Sequence, residues 1–215
     1  MLRVLVSMLA LLLSGTGVGA EALGASPVLI LGDSLSAGYG ISQEASWPNL
    51  LRQRLLDEGY RHSVVNASIS GETTSGGARR IAALLEQHQA AVVVLALGAN
   101  DGLRGVDVAE TRKNLSIIIG LAKAADATVV LLKVRIPPNY GPQYTAAFER
   151  IFDELGELQG VIYAPFMLEQ FALDARAFQN DGLHPKADVQ PRILDTLWPS
   201  IAQALDGKVM EALFN

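Results

Sequence analysis

The sequence predicts a three-layer α/β/α sandwich built on a doubly wound, five-stranded parallel sheet. Short apolar runs alternate with segments of helical periodicity after the first twenty residues. That alternation is typical of parallel strands that are covered by helices on both faces. The chain has 215 residues, half of them hydrophobic, which is enough to bury one sizeable core. We therefore expect a single domain over residues 21–215.

The candidate strands are short runs rich in Val, Ile and Leu, the composition of strands that are buried on both faces. They occupy residues 27–31, 63–67, 91–97, 128–134 and 161–164. Helices are expected in the intervals between the strands.

Two of these helices show an apolar face at helical spacing. In the first, Ser46 is the expected N-cap and Gly59 the expected end. Its apolar face consists of Trp47, Leu50, Leu51 and Leu55. The second helix carries Phe148, Ile151, Phe152 and Leu155.

The first twenty residues form a separate segment. Arg3 precedes an apolar run at residues 4–13, and Val18-Gly19-Ala20 places small residues where a signal peptidase cuts. The run is shorter than the roughly 20 residues that a membrane-spanning helix needs. We expect a signal peptide over residues 1–20 and a periplasmic or secreted product. An uncleaved amino-terminal anchor is the alternative.

Composition argues against several classes of partner. The formal net charge is −5, and adjacent basic residues such as Arg79 and Arg80 fall on a predicted helix, so we expect no nucleic-acid partner. The chain has no cysteine, and no motif has metal-ligand spacing, so we expect no metal and no other cofactor.

We expect a monomer. The apolar stretch at residues 209–214 is expected to fray and to give at most transient contact with membrane lipid.

A serine follows the first strand at a sharp turn. The strand ends in Gly32-Asp33-Ser34, and a glycine there allows the backbone to turn. Ligands of such folds bind beyond the carboxyl ends of the strands, so Ser34 is a candidate nucleophile, with a helix N-cap as the alternative. The side chain of Asp33 is expected to bond loop backbone and brace the turn.

A candidate base lies near the carboxyl terminus. The segment Asp181-Gly182-Leu183-His184 places a carboxylate three residues before a histidine, with a glycine that permits a tight turn. His184 can then take the proton of Ser34 while Asp181 orients the imidazole. Asp188 is the alternative orienting carboxylate.

Candidate oxyanion donors follow the second and third strands. Gly71 ends the segment Asn66-Ala67-Ser68-Ile69-Ser70-Gly71, and Asn100 lies in Leu97-Gly98-Ala99-Asn100-Asp101. A backbone N–H and a side-chain amide are the kinds of donor that stabilise an oxyanion.

The four segments, in this order, resemble the blocks of the SGNH hydrolases, also called the GDSL family, whose letters correspond here to Ser34, Gly71, Asn100 and His184. The resemblance runs from about residue 29 to residue 191. Residues 98–105 and 136–141 are similar to the bacterial periplasmic branch of multifunctional thioesterases, arylesterases and lysophospholipases.

The resemblance implies the SGNH hydrolase fold, a flavodoxin-like sheet of strand order 2-1-3-4-5. It also implies a triad of Ser34, Asp181 and His184, and an oxyanion hole formed by the Ser34 and Gly71 amides with Asn100. Two positions depart from the family pattern: Ala99 stands where relatives often have glycine, and Glu72 where they often have aspartate.

The implied activity is hydrolysis of esters and thioesters through an acyl-enzyme, without a cofactor. The implied substrates are aryl esters, acyl thioesters and lysophospholipids, and residues 102–106 are similar to a mobile loop beside the acyl-binding groove. The candidate substrate-binding residues are Leu103, Arg104, Val106, Ile136 and Tyr140.

Two other functions stay open. A carbohydrate acetylesterase of the same superfamily would have a polar cleft and prefer acetyl esters. A flavodoxin-like binding module that has lost catalysis would keep the fold without a reactive serine.

Overall fold

The protein is described by a computed structural model that covers the backbone of residues 25–214 and the side chains of residues 25–208. Five strands form one parallel sheet of order β2-β1-β3-β4-β5, which confirms the predicted order. The strands are β1 (Val28–Gly32), β2 (Val64–Asn66), β3 (Val92–Ala96), β4 (Thr128–Leu132) and β5 (Val161–Ala164). Each lies within about two residues of its predicted bounds, and β5 has the predicted ones.

Helices cover both faces of this sheet. They are α1 (Ser34–Ala37), α2 (Trp47–Asp57), α3 (Thr74–His88), α4 (Ala99–Leu103), α5 (Val108–Ala124), α6 (Pro142–Gly156) and α7 (Gln190–Phe214). Alternate residues of β1 point to opposite faces: Val28 and Ile30 pack with α2 and α7, whereas Leu29 and Leu31 pack with α3, α5 and α6. The result is the predicted three-layer sandwich with one hydrophobic core on each side.

The start of α2 differs from the prediction. Ser46 occupies the N-cap position, but its hydroxyl donates to the carbonyl of Gln43 at 2.6 Å instead of accepting from the helix. The first backbone N–H, that of Trp47, donates to the side-chain oxygen of Gln190 at 3.1 Å. The acceptor is thus supplied by α7, far along the chain, and this bond joins the two helices on one face of the sheet.

The two ends of the chain test the terminal predictions only in part. The expected signal peptide, residues 1–20, lies outside the described residues. Helix α7 continues to Phe214, so the backbone at residues 209–214 is helical where a frayed end was expected, and the side chains there are outside the described part. No helix within residues 25–214 is long and apolar enough to cross a membrane.

Candidate active site

The carboxyl edge of the sheet gathers the predicted functional residues. Ser34 opens α1 directly after β1, Gly71 follows β2, and Asn100 lies in α4 after β3. Asp181 and His184 lie on the loop between β5 and α7. The switch between β1 and β3 is the position at which doubly wound sheets bind their ligands.

The side chains of Ser34, His184 and Asp181 form a continuous chain of contacts. His184 Nε2 lies 2.9 Å from Ser34 Oγ, and His184 Nδ1 lies 2.7 Å from Asp181 Oδ2. A carboxylate can only accept, so the proton of the neutral imidazole sits on Nδ1 and leaves Nε2 to accept from the serine hydroxyl. This is the tautomer that a general base for Ser34 requires.

The conformation of the 181–184 turn comes from local hydrogen bonds. Asp181 Oδ1 accepts from the backbone N–H groups of Leu183 at 2.9 Å and His184 at 3.0 Å. Gly182 makes the turn possible because its φ of 68° lies in the left-handed region. The bonds from the His184 backbone and side chain, with that from Leu183, lower the pKa of Asp181 to about 2. Asp181 is therefore ionised throughout the neutral range.

Asp188, the alternative orienting residue, does not take this role in the structure. It is exposed in a short 3-10 turn, and within the described residues it makes no hydrogen bond to His184. The carboxylate three residues before the histidine is the one that contacts it.

Tyr39 is a neighbour of His184 that the sequence analysis missed. Its ring lies on the imidazole, with centroids 4.4 Å apart and planes inclined by 38°. Tyr39 follows Ser34 by five residues, but no local pattern relates it to a histidine near the other end of the chain. Tyr39 and Asp181 also border an open depression of about 600 Å³.

The candidate oxyanion donors face the same edge. The backbone N–H groups of Ser34 and Gly71 donate to no protein acceptor in the described part of the chain. Asn100 Nδ2 donates to the Glu72 carbonyl at 3.0 Å and to Asp33 Oδ2 at 3.4 Å. Both amide hydrogens of Asn100 thus have acceptors, and the contact with Asp33 is the longer of the two.

Asp33 braces the turn beside Ser34, as expected. It is 2% exposed, and its Oδ1 accepts from the Leu35 N–H at 3.0 Å, which caps α1. Burial raises the pKa of Asp33 to about 6, although the Leu35 hydrogen bond and the charge of His184 oppose that increase. The nearby charge of Asp101 raises the pKa further.

Two side-chain contacts hold in place the segments that carry the candidate oxyanion donors. Asp101, buried beside Asn100, accepts from the backbone N–H of Thr74 at 2.9 Å and so ties α4 to the start of α3. Glu72, one of the departures from the family pattern, accepts from Arg80 Nε at 2.8 Å. The longer Glu72 side chain therefore still anchors the segment that carries Gly71.

The predicted substrate-binding residues divide into two groups. Tyr140 donates its hydroxyl to the Leu103 carbonyl at 2.9 Å, and the exposed Arg104 donates to the Gly71 carbonyl at 3.0 Å. The Val106 carbonyl accepts from the Tyr144 hydroxyl at 2.8 Å. These bonds place the 103–106 loop next to the oxyanion donors.

Ile136 is placed differently. It is only 6% exposed and belongs to the core, where its side chain packs closely against the backbone of Gly102. Ile136 thus supports the loop from below and exposes little surface to a ligand. The sequence pattern could not distinguish a core position such as Ile136 from a loop position such as Val106, because an apolar side chain suits both.

Within the described residues, no group of three or more His, Cys, Asp or Glu side chains is arranged to hold a metal ion. The groups that the triad and the loops present at this edge are a serine hydroxyl, an imidazole, a carboxylate and N–H donors.

Similar proteins are known by sequence and by structure. The chain is 44% identical over 195 residues to an arylesterase of Vibrio mimicus, covering 91% of this chain and 95% of that protein. It is 45% identical over 175 residues to thioesterase 1/protease 1/lysophospholipase L1 of Escherichia coli strain K12, covering 81% and 83%. A crystal structure of the psychrotrophic esterase EstA from Pseudoalteromonas sp., inhibited by monoethylphosphonate, superposes with a TM-score of 0.80 at 41% identity, covering 84% and 99%.

The family assignment rests on most of the chain. The model of the GDSL-like lipase/acylhydrolase family matches residues 30–190, a range that includes all four predicted blocks. With relatives of this identity and coverage named as esterases and thioesterases, the chain belongs to the GDSL-like lipase/acylhydrolase family and is an esterase of that family.

Proposed function

We propose that this esterase cleaves its substrates through a Ser34-His184-Asp181 triad. The observation that carries the proposal is the unbroken chain from Ser34 Oγ to His184 Nε2, at 2.9 Å, and from His184 Nδ1 to Asp181 Oδ2, at 2.7 Å. Both distances are within the range of productive hydrogen bonds for a nucleophile, its base and an orienting carboxylate.

In the first half of the reaction, Ser34 Oγ forms a bond to the acyl carbonyl carbon while its proton moves to His184 Nε2. The tetrahedral intermediate then breaks its bond to the alcohol or thiol, which leaves with that proton. In the second half, His184 takes a proton from water, the hydroxide attacks the acyl-enzyme, and the carboxylic acid leaves as Ser34 recovers its proton. Asp181 stays ionised and stabilises the imidazolium.

The oxyanion of each intermediate is held by Asn100 and by the backbone N–H groups of Ser34 and Gly71, which donate to no acceptor among residues 25–208. Asn100 joins by turning one N–H away from Asp33, because that contact is the longer of its two bonds. Exchanging a long hydrogen bond for one to an oxyanion is favourable, since bonds to charged acceptors are shorter and stronger.

The substrates proposed are aryl esters, acyl thioesters and lysophospholipids, in keeping with the names of the arylesterase and of thioesterase 1/lysophospholipase L1. Leu103, Arg104, Val106 and Tyr140 lie on or beside the loop next to Gly71, which makes them candidates for contact with the acyl chain. No cofactor takes part. The leader pattern supports cleavage of residues 1–20 and a periplasmic or secreted product, and we propose that the single domain over residues 21–215 is a monomer.

Hydrolysis of nitrophenyl acyl esters from acetate to palmitate tests this function. The enzyme is compared with Ser34→Ala and with the matched control Ser36→Ala, whose buried hydroxyl in the same helix has no hydrogen-bond partner in the described residues. We expect Ser34→Ala to lose activity, Ser36→Ala to keep it, and medium or long chains to be preferred.

Other outcomes would change the assignment. A preference for acetate would favour the carbohydrate acetylesterase. Activity that survives Ser34→Ala would refute the triad, and a wild-type protein that hydrolyses none of the esters would favour the binding module.

A further inference from the structure

The proposed nucleophile and base come from distant parts of the chain. Ser34 and His184 are separated by 150 positions, and neither lies in the central strands of the sheet. Their contact depends on how the loop of residues 179–186 docks on the segment of residues 38–40, which follows α1. We call these two segments the base loop and the nucleophile segment.

The side chain of Gln179 joins the two segments. Its Nε2 donates to the Tyr39 carbonyl at 2.8 Å, in the nucleophile segment, and to the Pro185 carbonyl at 3.2 Å, in the base loop. A primary amide has two N–H groups, so both donors of Gln179 are used, one toward each segment.

The backbone of Gln179 also closes the base loop. Its N–H donates to the His184 carbonyl at 2.8 Å, and its carbonyl accepts from the Gly182 N–H at 3.0 Å. The backbone of Gln179 therefore closes the turn that carries Asp181 and His184, while its side chain bonds the nucleophile segment. A displacement of Gln179 would move the imidazole relative to Ser34.

The fit around this amide is close. A Cβ placed on Gly40 would lie 2.1 Å from Gln179 Oε1, and the φ of 73° at Gly40 lies in the left-handed region that favours glycine. The neighbouring Tyr39, in the nucleophile segment, also contacts the base loop, because its ring centroid lies 4.4 Å from that of His184. The Gln179 bond to the Tyr39 carbonyl thereby also holds the ring that packs on the base.

We propose that Gln179 is a positioning residue for hydrolysis, which keeps His184 Nε2 within hydrogen-bond reach of Ser34 Oγ. This inference rests on the proposed triad. Catalysis is very sensitive to such placement, because an error of about 1 Å can reduce the rate roughly a hundredfold. A purely structural hydrogen bond would instead affect stability and leave the rate constant of the folded enzyme unchanged.

The test is the variant Gln179→Met, which keeps the length of the side chain and removes both donors. Gln43→Met is the matched control: Gln43 Nε2 donates to the Ala37 carbonyl at 2.9 Å, at the end of α1, without reaching the base loop. Both variants should lower Tm by a few degrees, about 2–4 °C per bond lost. We expect kcat of Gln179→Met to fall about tenfold or more with KM within about twofold, and Gln43→Met to keep kcat.

A further variant tests the direction of the two hydrogen bonds that Gln179 donates. Gln179→Glu should be more damaging than Gln179→Met, since its carboxylate would face two carbonyl oxygens. Rates are normalised to the fraction of enzyme that a phosphonate ester titrates.

Equal kcat in Gln179→Met and Gln43→Met would overturn the inference. A failure of the proposed function looks different, because Ser34→Ala would then retain activity. Loss of activity in Ser34→Ala together with wild-type kcat in Gln179→Met would refute the role of Gln179 alone.

Discussion

Replacing Asp181 by asparagine probes the orientation of the base with little change in shape. The asparagine oxygen can still accept from the Leu183 and His184 backbone N–H groups, so the turn should keep its form. The new NH₂ group stands where Asp181 Oδ2 now lies 2.7 Å from His184 Nδ1. A donor at that position favours the tautomer with its proton on Nε2, which cannot accept the proton of Ser34.

The size of the loss follows from the exposure of the carboxylate. Where the triad aspartate is buried, this substitution lowers turnover about 10⁴-fold. The Asp181 side chain is 38% exposed, so water can take the place of part of its interaction with Nδ1. We therefore expect a loss of about 10²- to 10³-fold in kcat at pH 7.

The assay is kcat and KM for a nitrophenyl ester from pH 6 to 9, with thermal melting to confirm folding. Asp188→Asn is the control, since this exposed carboxylate does not contact His184. The pKa of Asp181 is about 2, so its own ionisation should not shape the wild-type profile in this range. A loss below tenfold in a folded Asp181→Asn protein, or an equal loss in Asp188→Asn, would refute the assignment.

Two other predictions concern the neighbours of Ser34. Asn100→Ala should lower kcat roughly a hundredfold or more with the fold intact, and a twofold loss in the same ester assay would exclude Asn100 from the oxyanion hole. Asp33 has its pKa raised to about 6, so its contribution to stability is full below its unfolded pKa near 4 and is lost as pH rises through 6. Asp33→Asn keeps a cap for the Leu35 N–H and should remove a fall of about 3 kcal/mol in the free energy of unfolding between pH 4 and 7. Parallel denaturant-unfolding profiles for the two proteins would contradict this.

The features that the sequence predicts well are those with a local signature. Strands that are buried on both faces need continuous runs of β-branched and apolar residues, so their positions are visible without a structure. The Asp181–His184 turn is also local, because an acceptor three residues before the histidine and a glycine between them suffice to form it. Order along the chain then places Ser34, Gly71 and Asn100 after successive strands.

Local patterns therefore predict the sandwich, its sheet and the residues that meet at the carboxyl edge. They do not predict that Gln190 supplies the acceptor at the start of α2, that Ile136 is core, or that Gln179 connects the two halves of the site. Each of these contacts joins residues from separate elements, and the same residue type satisfies many such environments. Their partners depend on how the helices and loops pack on the finished sheet, which no local pattern encodes.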